Sequence, residues 1–124
     1  MTKPGPKYDL EERLINYSLR IIDVVELLPD TMVGNHLGRQ LLRSGTSPAL
    51  NYGEAQGAES RKDFTHKLKV ITKELRESSI NLRILERKML LKDSGIVSET
   101  RELTAIFVAS LKTTQRNSQG SDVV

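Results

Sequence analysis

Apolar residues recur along most of this chain at steps of three and four, the spacing of one face of an α-helix. From about Tyr8 onward, Leu10, Leu14, Tyr17 or Ser18, Ile21, Val25 and Leu28 share such a face. Asp9, Glu11 and Glu12 lie near the first turn, where the helix dipole favours negative charge. Leu28-Pro29 ends the stretch, because the residue before a proline is pushed out of the α region. A second segment, about 35–58, carries Leu37, Leu41, Pro48, Tyr52 and Ala55 at helical spacing, with Gly45 filling the gap. Pro48 costs a hydrogen bond and crowds the carbonyl of Ser44. The helix therefore either kinks there or breaks and restarts with Ser47 as cap and Pro48 as its first residue. The spacing survives across the proline, which favours the kink.

The third segment has the most regular pattern. Ser60-Arg61-Lys62-Asp63 resembles a capping box with aspartate in place of glutamate, so Ser60 and Asp63 are the expected helix cap. Phe64, Leu68, Ile71, Leu75, Ser78, Leu82, Leu85 and Met89 then form an unbroken 4-3 repeat, the knobs-into-holes pattern of bundles. No Gly or Pro interrupts it before Gly95, which predicts a helix of about 40 Å or more and a turn at Asp93-Ser94-Gly95. Ser98 is the expected cap of a fourth helix, with Leu103, Ile106, Phe107, Ser110, Leu111 and Thr114 facing inward. No segment alternates with period two. The fold class is therefore all-α, an antiparallel up-down-up-down four-helix bundle over residues 8–115. Residues 1–7, with Pro4-Gly5-Pro6, read as a flexible lead, and polar residues 116–124 as a disordered tail.

Composition narrows the function. A chain of 124 residues fits one domain, and 37% hydrophobic residues build a modest core. The absence of cysteine excludes disulfides, zinc–thiolate sites and thiol nucleophiles, and suits a reducing compartment. The first residues hold no apolar run, and no stretch approaches a membrane span, so the expected location is cytoplasmic with no membrane partner. Catalytic chemistry is poorly supplied. His36 and His66 have no paired context, and neither a Gly-x-Ser-x-Gly nor a P-loop occurs. A di-metal carboxylate bundle needs Glu-x-x-His motifs, and the chain offers only Asp63-x-x-His66. We therefore expect no enzyme, no metal, no cofactor and no small-molecule substrate.

Charge is unevenly spread. The net charge is +3, yet residues 61–92 hold 10 Lys+Arg against 4 Asp+Glu. Lys69, Lys73, Arg76, Arg83 and Arg87 fall four, three, seven and four apart, along one flank of the third helix. Such a row can follow a phosphate backbone. It can equally be a solvated face, since only 2 Phe and 3 Tyr are present and none is interleaved with it for base stacking. The second helix carries a polar row beside its apolar stripe: Gln40, Ser44, Ser47, Asn51 and Glu54. Arg43, Glu74 and Glu77 are its natural partners. The row reads as a network fixing helix register inside the bundle, or as part of a subunit interface or ligand site.

Four blocks together carry a family resemblance: Gln40-Leu41-Leu42-Arg43-Ser44-Gly45-Thr46-Ser47, Asn51-Tyr52-Gly53-Glu54-Ala55, Ser60-Arg61-Lys62-Asp63-Phe64 and Lys73-Glu74-Leu75-Arg76-Glu77. The chain resembles, over roughly residues 8–115, the four-helix bundle proteins of the 23S ribosomal RNA intervening-sequence family. The resemblance implies an antiparallel four-helix bundle and a ring-shaped homopentamer. It also implies kinship with basic accessory proteins of diversity-generating retroelements, which bind a reverse transcriptase and nucleic acid. The function expected on this basis is a non-catalytic oligomeric adaptor that binds RNA or a nucleoprotein partner through the basic flank. The alternative is a protein-only scaffold. Two departures stand out: Ile80-Asn81 occupies a region where the family often has Tyr-Trp, and Pro48 replaces a more usual isoleucine.

Overall fold

A computed structural model describes the backbone of residues 6–123 and the side chains of residues 10–117. Its helices are α1 (Pro6–Glu26), α2 (Met32–Gln56), α3 (Arg61–Arg87) and α4 (Ile96–Val123), and no strand occurs among the described residues. α1 begins earlier than the sequence suggests. Proline at the first helical position loses only an N–H that would have no partner there, so Pro6 starts a helix instead of preventing one. The rest of the expected lead, residues 1–5, lies outside the described residues.

Thr31 starts α2, its extended backbone placing Oγ1 to accept from the Gly34 N–H at 3.0 Å. The helix passes through Pro48 as a single element, so the break-and-restart alternative does not occur. Ser47 is not a cap. Its hydroxyl and carbonyl instead accept from Asn51 Nδ2 at 2.7 and 3.0 Å. Ser60 caps α3, with Oγ accepting from the Asp63 N–H at 3.0 Å.

α3 stops two residues before the 4-3 repeat does. Met89 has φ 64°, in the left-handed region, and its N–H donates to the Glu86 carbonyl while the Leu90 N–H donates to that of Leu85. This pair of bonds is the Schellman motif, normally signalled by glycine. Met89 is therefore 87% exposed and does not extend the inner face. Leu90 and Leu91 pack on the core instead, and the connection runs on to Gly95. α4 starts at Ile96, so Ser98 lies inside its first turn and does not cap it. Asp93 does the local work, its Oδ1 accepting from the Gly95 N–H at 3.1 Å. The backbone of α4 continues to Val123 where the sequence suggests a disordered tail, since polarity alone does not stop a helix and no proline intervenes. Val124 lies outside the described residues.

α1 packs on α2, α2 on α3 and α3 on α4, while α4 returns to α1 with a wider gap. Paired residues run in opposite directions along neighbouring helices. Ile21 meets Gly45 and Val25 meets Gly38, Glu54 meets Lys67 and Arg43 meets Glu77, Arg13 meets Glu99 and Arg20 meets Asp93. The core holds Leu14, Tyr17, Ile21 and Val24 from α1, Leu41 from α2, Leu68 to Leu85 of the repeat from α3, and Leu103 and Phe107 from α4. Tyr52 meets Phe107 edge-to-face at 5.8 Å. Tyr17 takes the inner position; Ser18 instead donates to the Leu14 carbonyl.

Candidate nucleic-acid interface and polar seams

Helical register turns one flank of α3 away from the core, and the basic row lies there. Lys69, Lys73, Arg76 and Arg87 are exposed and Arg83 is half-buried. None of the five forms an ion pair with a described residue. Ile80 and Ile84, 54% and 48% exposed, lie on the same outer side. The row is thus a positive flank interrupted by an apolar component that charge spacing did not signal.

The polar row of α2 divides into four. Gln40, Arg43, Glu74 and Glu77 come together across α2 and α3: Arg43 Nη1 donates to Glu74 at 2.7 Å, and Nη2 to both oxygens of Glu77 at 2.8 and 2.7 Å. Gln40 Oε1 accepts a longer bond from Arg43 at 3.4 Å. Glu74 is buried, so its carboxylate depends on that guanidinium. Deeper in, Ser78 Oγ donates to Ser44 Oγ at 2.8 Å, both residues fully buried. Ser47 and Asn51 bond only to each other's helix turn, and Glu54 pairs with Lys67 at 3.1 Å. Asn81 Nδ2 donates to the Leu37 carbonyl at 3.1 Å, so this departure from the family pattern serves the α2/α3 seam.

A second seam, between α1 and α4 with the turn that leads into it, had no sequence signal. Arg13 makes a two-pronged bond to Glu99 at 2.9 and 2.7 Å, and Arg20 does the same with Asp93 at 2.8 and 2.7 Å. Between them the Tyr17 hydroxyl and Thr100 Oγ1 lie 2.7 Å apart. These long side chains fill the wider gap that the α1 and α4 backbones leave. Burial pushes the Tyr17 phenol up to about 12, against the opposing effect of its bonds to Thr100 and Ser78. Among the described residues no three His, Asp or Glu gather as a metal-ligand group, and no helix is long and apolar enough to cross a membrane.

No family model matches the chain, and no curated protein does either. A crystal structure from Bacteroides thetaiotaomicron, a protein with unknown function from the S23 ribosomal protein family, is similar to it with a TM-score of 0.73 and 26% identity. The similarity covers 83% of this chain and 98% of that one. The family resemblance carries into three dimensions. It agrees with the likeness seen in residues 40–47, 51–55, 60–64 and 73–77, all of which lie on α2, α3 and the turn between them.

The α1/α4 seam makes a pH-dependent contribution to stability. Hydrogen bonds from Arg20 hold the Asp93 carboxyl below its ordinary 3.8, outweighing its partial burial, and the Gly95 and Ile96 N–H groups act in the same direction. Because the folded state lowers this pKa, the stabilisation is complete above the unfolded value and is lost as pH falls through the folded one. Asp93→Asn should therefore flatten the acid limb of the stability–pH curve below about pH 4 and leave its shape near neutrality unchanged. Urea unfolding across that range measures it. An unaltered acid limb would assign the effect to another carboxylate.

Proposed function

We propose that the protein is a non-catalytic oligomeric adaptor that binds RNA through the outer face of α3. The observation carrying this reading is the row of five cations, Lys69, Lys73, Arg76, Arg83 and Arg87, along one flank of α3, none of them with an ion-pair partner among the described residues. Arg13, Arg20 and Arg43 are each held by carboxylates, whereas this row is left available to an external polyanion. Self-association is supported by Ile15 and Leu19, four residues apart on the outside of α1, and by exposed Leu42 and Leu50 on α2. A second copy is the occupant of that face, in a closed ring of five on the family resemblance. Repeating the row around a ring raises the local field well above that of a single chain.

Binding of a generic RNA should weaken steeply with salt, log affinity falling linearly with log salt. Changing Lys69, Lys73 and Arg76 together to Gln removes three cations. It should lower affinity and reduce the slope by about 2, at roughly 0.7 per phosphate contact on a single strand. Circular dichroism and light scattering should show helicity and assembly unchanged. Exposed Ile80 and Ile84 amid the cations favour a second reading, a scaffold for a protein partner. Absence of RNA binding at low salt, or equal binding by the triple variant, would select that second reading, and a monomer at micromolar concentration would remove the ring.

A further inference from the structure

The seams of the bundle treat their arginines differently. Where α1 meets α4 and the turn before it, Glu99 and Asp93 hold Arg13 and Arg20; where α2 meets α3, Glu74 and Glu77 hold Arg43. Where α3 meets α4, Arg76, Arg83 and Arg101 line one open cleft of about 460 Å³ together with Ser79, Ile80 and Thr104, and no carboxylate lines it. None of the three guanidiniums pairs with a described residue. Glu102, the neighbour of Arg101, turns instead towards Arg13 across the α1/α4 seam.

Three like charges share this one cleft with no carboxylate to match them. Anionic groups seated there would match these charges, and the fork-shaped donors of arginine suit phosphate. Arg76 and Arg83 are two helical turns apart, about 10 Å along α3. Ile80 lies between them on the same helix, and Arg101 comes from the other wall. Phosphate donors flanking an apolar surface are what an unstacked nucleotide needs. Its phosphates take the arginines, and its base lies on Ile80 and the flat of a guanidinium.

We infer that the α3/α4 cleft binds single-stranded RNA at an unstacked nucleotide through Arg76, Arg83, Arg101 and Ile80. This rests on the RNA reading above and deepens it, because it adds Arg101, a residue outside the α3 row, and sets a preference for single strands. A duplex keeps its bases stacked and offers the cleft only phosphates.

The test titrates the full chain with a fluorescent 12-nucleotide oligouridylate and with an RNA duplex of the same length at low salt. Arg101→Gln should weaken single-strand binding about tenfold or more, the value of a charged hydrogen-bonding group. Arg101→Lys, which keeps charge but not the fork, should fall between. Lys112→Gln, a cation on α4 outside the cleft, should bind like wild type. The single strand should bind more tightly than the duplex. If Lys69→Gln/Lys73→Gln weakens binding while Arg101→Gln does not, or if the duplex binds as well, the cleft is overturned and the outer row stands. If wild type binds neither RNA, both readings fall together.

Discussion

Leu75→Ala should lower the free energy of unfolding by about 2–5 kcal/mol, measured by denaturant titration at fixed protein concentration. Leu75 is fully buried at the middle of the 4-3 repeat, within the cluster formed by Leu68, Ile71, Leu82, Tyr17 and Phe107. Truncation removes apolar surface from the core and leaves a cavity that rigid neighbouring helices close only in part. Ile84, on the same helix but 48% exposed, is the matched control. Ile84→Ala also deletes branched aliphatic carbon, yet the site is half in water already, and its loss should stay below about 1 kcal/mol. The contrast tests burial rather than hydrophobicity. Equal losses at the two sites would mean that α3 presents a different face to its partners.

The 4-3 repeat made most of α3 legible because burial on one helix face is a local property of the sequence. Phe64 through Leu85 follow it, and four such segments sufficed for a bundle. The repeat failed at Met89 for an equally local reason: the usual glycine of a left-handed C-terminal residue is missing, so nothing marked the stop. Pro6 misled in the opposite direction, since proline ends helices in the interior yet starts them at the first turn.

Pairing between helices was only partly readable. Glu74 and Glu77 stood out because each lies one step off the apolar stripe of α3, with Arg43 a natural partner on the adjoining segment. Arg13–Glu99 and Arg20–Asp93 span 86 and 73 positions, and no periodicity connects such residues. Their existence follows from a packing detail, the wider α1/α4 gap, that only the assembled bundle defines. Arg101 escaped notice for the same reason. Seen along α4 it is a lone cation beside Glu102, and only the approach of α3 gives it Arg76 and Arg83 as company.

Gly45→Ala should destabilise the protein by about 1–3 kcal/mol, although helix propensity alone favours alanine by about 1 kcal/mol. A Cβ built on Gly45 would stand 2.6, 2.7 and 2.8 Å from Cγ1, Cγ2 and Cδ1 of Ile21, which is fully buried on α1. Rotating Ile21 brings little relief. Its χ1 is stiff, and both branches of the side chain already lie in the contact zone. The helices must move apart, and the core between them loosens. Gly53, on the same helix, has nothing within 4 Å of the corresponding position, so Gly53→Ala should stabilise by about 1 kcal/mol. A cycle with Ile21→Ala separates the two terms. That change alone should cost about 2–5 kcal/mol, but it removes all three clashing carbons. In its background Gly45→Ala should turn from destabilising to stabilising. If Gly45→Ala is already neutral or favourable in the wild type, α1 and α2 do not approach as closely as this packing requires.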